Sequence, residues 1–453
     1  MNGLLDILID IASTPAILVA LIAVLGSVLQ KKSTTDVVKG GVKTFVGFLV
    51  VTAGAGVIVG ALEPFGEMFK VAFNMQGVIP NNEAIVAVAL DQYGTSTALI
   101  MLSGMIFNIL IARFTKFKYI FLTGHHTLYM ACMVAVIMSV AGFTSLSLIL
   151  LGGLVLGIIM SVSPALVQRF MVELTGNDSV ALGHFSAVSY ALSGYVGKLI
   201  GNKEKSTEDI KFPKSLGFLR DSTVSIAITM TVLYTIVALF TGSAYIQENL
   251  SGGTNYLIFA LQQSGSFAAG VFVILAGVRL ILNEIVPAFK GISDKLVPNA
   301  KPALDCPIVY PYAPNAVLIG FFSSFVGGLV SMVIMIFTGG VIILPGVVPH
   351  FFVGATAGVI GNSSGGLRGA IAGSFLQGML ISFLPLFLMP VLGELGFAGS
   401  TFSDADFASS GIILGSLANM GGKTAIMIGI AIVIAIMLAL TALDKNKKTV
   451  TTE

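Results

Sequence analysis

Apolar runs of about 20 residues, each closed by a short polar or basic break, recur along the whole chain. A helix of that length crosses a hydrocarbon core of about 30 Å, so the pattern predicts successive membrane spans. The first runs roughly from Thr14 to Leu29 and stops at Gln30-Lys31-Lys32. It has no charged segment before it and reads as a retained span rather than a cleaved signal. Val42 to Leu62 carries TAGAGVIVG, small residues that allow close helix approach. Further spans end at Ala112, contain FLTGHHTLYMAC, and cover roughly 146–166, 225–244, 256–282, 316–337, 370–392 and 425–443. An acidic, Ser-rich connection, FAGSTFSDADFASS, separates the last two.

Four stretches break this rhythm: GVIPNNEAIVAVALDQYGTSTAL, NDSVALGHFSAVSYALSGYVGKLIG, LVPNAKPALDCPIVYPYAPNAV and GGVIILPGVVPHFFVGATAGVIG. Proline at this density cannot lie inside a regular helix. Irregular backbone at membrane depth is tolerated only where protein or a water-filled cavity covers it. Broken segments of this kind are where transporters hold their substrates. Residues Glu284 to Ala303 read as an amphipathic interfacial helix or hinge.

The expectation is an all-α polytopic membrane protein with about 11 transmembrane helices, some broken or re-entrant. Basic clusters after the first span, at Arg113, Lys116 and Lys118, in the 203–220 loop and after the last span predict an outside N-terminus and a cytoplasmic C-terminus. Residues 1–443 read as one transporter unit and 444–453 as a disordered cytoplasmic tail. Val78-Ile79-Pro80-Asn81 resembles Leu296-Val297-Pro298-Asn299. Each precedes an acid (Glu83, Asp305) and, about 50 residues on, a histidine (His125, His350). This suggests inverted-type repeat halves, roughly 35–215 and 255–415.

Composition sharpens the class. The chain is 55% hydrophobic and 10% charged, with mean hydropathy +0.96, against about 25% charged residues in soluble domains. A net charge of +2 gives no basic field for nucleic acid. Cys132 and Cys306 lack metal spacing and read as small apolar fillers, unpaired. No Ser-His-Asp order, metal cluster or nucleotide motif stands out. GNSSGGLRGA lacks the lysine of a phosphate loop, leaving Arg368 a loop residue.

Asp305, at the mouth of a span after a Pro-rich break, is the leading candidate for accepting hydrogen bonds from substrate hydroxyls. Adjacent histidines cannot share one helical face, so His125 is expected in the cavity and His126 beside it. His184, among small polar residues, is expected to line the same cavity, where an imidazole offers donor and acceptor to a polyhydroxylated ligand. Glu83 and Asp91 are further acids in the first broken segment, either of which a solvated position would also explain.

The blocks FLTGHHTLYM, ALGHFSA, ALDCPIVYPYAPNAVLIGF and FFVGATAGVIGN, with VVKGGVKTFVGF, GKLIGNKEKSTEDIKFP and AFKGISDKLVPNA, resemble the ascorbate-specific enzyme IIC of the bacterial phosphotransferase system, within the ascorbate–galactitol superfamily. The resemblance runs over nearly the whole length. It implies a sugar permease in the bacterial inner membrane, a homodimer with a substrate-holding core domain and a second domain at the dimer interface. It also implies phosphorylation of the substrate by a separate cytosolic B subunit, a phosphocysteine donor charged by an A subunit, with neither fused here. The implied substrate contacts are His125, His126, Thr127, Tyr129, His184, Phe185 and Asp305, with Asn82 and Glu83 beside them. No catalytic residue, metal or cofactor of its own is implied. Phe185 stands where the ascorbate pattern has an amide, and Glu83 at or near an aromatic hydroxyl, so the sugar stays open between L-ascorbate and a related sugar or sugar acid. The mechanism implied is alternating access with group translocation; a proton- or cation-coupled secondary transporter, with Asp305 and the histidines as a relay, is the alternative.

Overall fold

The computed structural model describes residues 15–74, 76–210, 222–339, 341–397 and 399–450. Residues 1–14, the second half of the 203–220 loop and the last three residues of the tail lie outside the described residues. The helices are α1 (Pro15–Leu29), α2 (Thr34–Phe73), α3 (Asn82–Phe114), α4 (Gly124–Val140), α5 (Ser145–Thr175), α6 (Ala187–Ile200), α7 (Ser222–Thr241), α8 (Ser243–Asn249), α9 (Tyr256–Leu296), α10 (Pro314–Thr338), α11 (Val347–Leu388) and α12 (Ala405–Val450). Among the described residues six short strands sit at the breaks between them: β1 (Gln76–Pro80), β2 (Tyr119–Phe121), β3 (Ala181–Leu182), β4 (Lys301–Leu304), β5 (Val341–Ile343) and β6 (Ser400–Thr401).

Local chemistry sets many of these boundaries. Ser33 caps α2 by accepting the Asp36 N–H, and Asn74, in the left-handed region at φ 51°, closes it. Asn81 caps α3 and Pro314 opens α10. Seven helices are long and apolar enough to cross a membrane among the described residues, eight if the bent pair Ile226–Thr241 and Ser243–Asn249 is one span. The expected count of about 11 is therefore not reached by length and apolarity alone. Two of the seven are interrupted, α11 at Gly365-Gly366 and α12 at Gly421-Gly422, where Gly366 (φ 63°) and Gly422 (φ 57°) adopt backbone angles that a side chain disfavours. The run read as a loop rather than a phosphate cradle is thus a helix break, sealed by the Asn202 N–H on the Gly365 carbonyl (2.8 Å) and the Leu367 N–H on the Lys205 carbonyl (2.7 Å). Arg368 beside it is exposed. The 284–296 stretch, expected as a separate interfacial helix, continues α9 without a break, and α12 runs past 444 to Val450.

Two bundles face each other. In one, α1, α2, α7 and α9 pack together. Its α2–α9 seam is backbone-close: a Cβ on Gly47 would lie 2.7 Å from the Gly277 carbonyl oxygen, so small residues are required there. In the other, α3 packs on α4 and α5, α11 on α10 and α6, and α12 covers both groups.

Two parallel three-stranded sheets lie in the second bundle. One has the order β5-β1-β6, the other β2-β4-β3. Exchanging β1 with β4, β2 with β5 and β3 with β6 converts one order into the other. In each sheet the central strand comes from one half of the chain and its flanks from the other. Registers set Pro80 opposite Thr401 and Leu304 opposite Leu182. By strand position the counterpart of β1 is therefore β4, and the match of Val78–Asn81 to Leu296–Asn299 is out of register. Asn81 and Asp305, each one residue past a central strand, both turn a side-chain oxygen onto the following backbone, on the Ala84 N–H (2.8 Å) and the Cys306 N–H (2.7 Å).

Candidate functional site

Parallel strands end together, so the residues that follow them converge. Beyond β1, β2, β3, β4 and β6 come Asn82 and Glu83, His125 and His126, His184, Asp305, and Ser403 and Asp404. With Tyr129 they line one cavity of about 250 Å³. Its remaining wall is Pro307, Val348, Pro349 and Phe352 from the same bundle, and Ile226, Leu275 and Arg279 from α7 and α9 across the seam. The volume suits one small ligand rather than a drug-sized one.

Asp305 is the most accessible carboxylate of this wall, Glu83 and Asp404 both being buried. Its Oδ2 lies 3.5 Å from His125 Nε2 and its Oδ1 4.0 Å from His184 Nε2. Side-chain exposures of 29% for His125 and 34% for Asp305 leave both with hydrogen-bonding capacity toward the cavity. His184 Nδ1 is tied to the Tyr190 hydroxyl at 2.8 Å, which fixes its ring with Nε2 toward Asp305. The Tyr190 oxygen also lies 3.4 Å from Cys306 Sγ.

His126 is placed more firmly. Its Nδ1 accepts the Phe185 N–H at 3.3 Å, so the neutral ring carries its proton on Nε2, 4.0 Å from Asp404 Oδ2. The His126 and His184 rings lie 3.9 Å apart by centroid, and Phe407 stacks on His126 at 5.6 Å. Asp404 is held by the Asn82 amide (2.8 Å to Oδ2) and the Ser403 hydroxyl (3.3 Å to Oδ1), while the Ser403 N–H donates to Asn82 Oδ1 at 2.9 Å. Two residues on, Asp406 accepts from the Ser163 hydroxyl (2.6 Å) and the Val188 N–H (3.0 Å), pinning the start of α6 and hence the His184 loop.

Of the expected contacts, Asn82, Glu83, His125, His126, Tyr129, His184 and Asp305 line the cavity. Both adjacent histidines reach it because they occupy the first turn of α4, where the chain leaves β2. Two expected contacts do not line it. Thr127 donates to the Thr123 carbonyl within its own helix at 3.1 Å. The Phe185 ring turns away to stack on Phe121 at 4.4 Å, leaving only its backbone N–H in the site. Asp91 is exposed on α3, and His350 lies elsewhere, with Nδ1 2.7 Å from the Ser324 hydroxyl. Cys132 and Cys306 are buried and unpaired. Ser403, Asp404, Asp406 and Arg279 were not anticipated. The signal for Asp404 was available, since SDAD stands at the mouth of a long apolar run just as Asp305 does.

Three trios of ligating groups lie within 4.8 Å of one another: His125–His126–Asp305, His126–His184–Asp404 and His184–Asp305–Cys306. Two require His126 Nε2, which the Phe185 N–H on Nδ1 leaves protonated, whereas a metal-bound histidine donates from its other nitrogen. The third is built on a fully buried thiol already engaged by Tyr190. The arrangement is a hydrogen-bonding site of imidazoles, carboxylates and an amide.

The family model EIIC-GAT, the sugar-specific permease component of phosphotransferase systems, matches residues 10–406. The chain belongs to this family. The matched range holds all six strands and every polar group named around the cavity. The ascorbate-specific PTS system EIIC component of Mycoplasma pneumoniae (strain ATCC 29342 / M129 / Subtype 1) is 26% identical over 451 residues, covering 87% of this chain and 66% of that relative. The chain thus spans just under two thirds of that relative's length. The converging strand ends build a polar pocket between two bundles of apolar helices.

Proposed function

We propose that this protein carries L-ascorbate or a related sugar across the bacterial inner membrane and presents it for phosphorylation during passage. The observation that carries the reading is the convergence of Asp305, His125, His126, His184, Asn82 and Asp404 on one small cavity at the seam of two membrane bundles. Hydroxyls of the sugar donate to Asp305 and Asp404 and accept from the His126 Nε2–H and the other imidazoles. The second bundle (α3–α6 and α10–α12) is the substrate-holding core. It moves as a rigid body against the α1, α2, α7, α9 bundle, which forms the homodimer contact.

A cytosolic B subunit, phosphorylated on cysteine by an A subunit, then docks and transfers its phosphoryl group; the charged sugar phosphate cannot return. The basic 113–118 loop and the lysines after Asp444 favour a cytoplasmic C-terminus: the Lys116 N–H donates to Thr441 Oγ1 at 3.1 Å, so that loop and the end of α12 lie on one face. The outside N-terminus follows from the same rule.

The test is phosphoenolpyruvate-dependent formation of labelled ascorbate phosphate by membranes carrying the protein with its soluble partners. Wild type is expected to form the phosphate and the inserted Asp305→Asn variant to lose it. Ionophore-sensitive uptake of unmodified sugar, with no phosphorylation of ascorbate or of another sugar, would overturn the group-translocation reading. It would favour cation-coupled transport through the same residues.

A further inference from the structure

We infer that Arg279 forms an anion subsite on the α9 wall of the cavity, and that its ligand is the phosphoryl group in transit to the sugar; this rests on the phosphorylating reading above. Arg279 lies in the Tyr256–Ile281 span. Leu275, one helical turn earlier, also lines the cavity, so the same face of α9 presents both side chains. Among the described residues the Arg279 guanidinium makes no hydrogen bond and no ion pair. Arg279 is exposed two residues before the end of that span, so its unpartnered guanidinium is open to a ligand in the cavity it lines.

Its surroundings say which ligand. The cavity wall opposite carries three carboxylates, Glu83, Asp305 and Asp404, and among the described lining residues Arg279 alone is permanently cationic. Sugar hydroxyls are served by the carboxylates and imidazoles; L-ascorbate is itself a monoanion at neutral pH, and a guanidinium that served only that charge would affect its exchange as much as its phosphorylation. A phosphoryl group brought to such an acidic wall needs a guanidinium, and the planar fork of arginine matches its oxygens. Ile226 and Leu275 flank Arg279 with apolar surface, so among its neighbours on this wall the guanidinium is the group that can hold an anion.

In the transfer, the S–P bond of the donor's phosphocysteine breaks as an O–P bond forms to the sugar hydroxyl. The donor leaves as thiolate, the hydroxyl proton passes to the Asp305 carboxylate, and Arg279 holds the phosphoryl oxygens. The carboxylates and imidazoles of the cavity belong to the core bundle, whereas Arg279 belongs to the bundle across the seam. The two steps therefore separate.

The test compares wild type, Arg279→Met and Arg279→Lys in membrane vesicles by two readouts. One is exchange of labelled, unphosphorylated ascorbate; the other is phosphoenolpyruvate-dependent phosphorylation. Arg279→Met is expected to lose phosphorylation by about 100-fold or more and to lose exchange by at least about tenfold less than that, with Arg279→Lys in between. Equal loss of both readouts, or unchanged phosphorylation, overturns the inference. Wild type that exchanges but phosphorylates nothing overturns the phosphorylating reading itself, and the subsite with it.

Discussion

Around β4 the chain delivers imidazoles and one carboxylate: His125 beyond β2, His184 beyond β3 and Asp305 beyond β4. Around β1, in a sheet of matching order, it delivers Asn82 and Glu83 beyond β1, Asp404 beyond β6, and only the apolar Val348 and Pro349 beyond β5. Parallel strands of a few residues fix where a following side chain can point, and both sheets use that to aim at one cavity. They leave the side chain's chemistry open. His350, the histidine that sequence spacing pairs with His125, comes seven residues after β5. It is buried against Ser324, whose hydroxyl donates on to Gln377 Oε1 at 2.7 Å. Equivalent backbone does not mean equivalent function.

The comparison breaks most sharply at the carboxylates. Asp305→Asn removes the charge and turns one of the two acceptor oxygens facing the imidazoles into a donor, and is expected to lower ascorbate phosphorylation by about 100-fold, from charge-assisted hydrogen bonds of about 1.5–3 kcal/mol each. Asp404→Asn in the other sheet is expected to lower it by about 30-fold, the cost of about one such bond. Asn82→Ala is expected to act through Asp404, so the double variant should fall short of the summed effects by about 1 kcal/mol. Initial rates of sugar phosphate formation check all three. If the Asn82 and Asp404 effects add fully, the β1 sheet does not work as a unit.

His350→Asn sharpens the contrast from the other side. It leaves Ser324 without its histidine partner and is expected to destabilise the protein by about 1–2 kcal/mol with an unchanged KM for the sugar. Thermal unfolding in detergent and uptake kinetics separate the two. A raised KM would return His350 to the site.

The smallest effect lies at the base of the β4 sheet, where Lys301 pairs with Asp178 at 2.5 Å. Partial burial pushes the Asp178 carboxyl up, but hydrogen bonds from Lys301 and Gln168 and the Lys301 charge outweigh it and hold it below its usual 3.8. A depressed carboxyl stabilises the fold above its unfolded pKa, and this contribution is lost as pH falls through the lower, folded value. With Asp178 58% exposed, the contribution is below about 1 kcal/mol. Asp178→Asn should lose only that much stability at neutral pH and nothing in strong acid, as read by thermal unfolding at both pH values.

Hydropathy located most spans, and Gly/Pro interruption located the breaks where the site lies, because both follow from local backbone requirements. Asp305, His125 and His184 were legible for the same reason: each is polar at the mouth of an apolar run. What was not legible depends on partners distant in sequence. Asp404 reads as a loop acid until Asn82, 322 residues earlier, is seen to hold it. Phe185 reads as a lost polar contact until its stack on Phe121 and its N–H on His126 appear. Arg279 sits in an ordinary apolar span, and only the packing of two bundles turns it toward the cavity. The continuation of α9 through 284–296 was missed because amphipathic patterning does not distinguish a separate surface helix from the extension of a long one.

The central claim is that both sheets build one sugar site. Equilibrium binding of labelled ascorbate to the purified, detergent-solubilised protein tests it most directly, using Asp305→Asn from one sheet and Asp404→Asn from the other. The account predicts that each variant, correctly folded by thermal unfolding, loses most of its affinity. Wild-type affinity in Asp404→Asn would contradict it and confine the site to the β4 sheet.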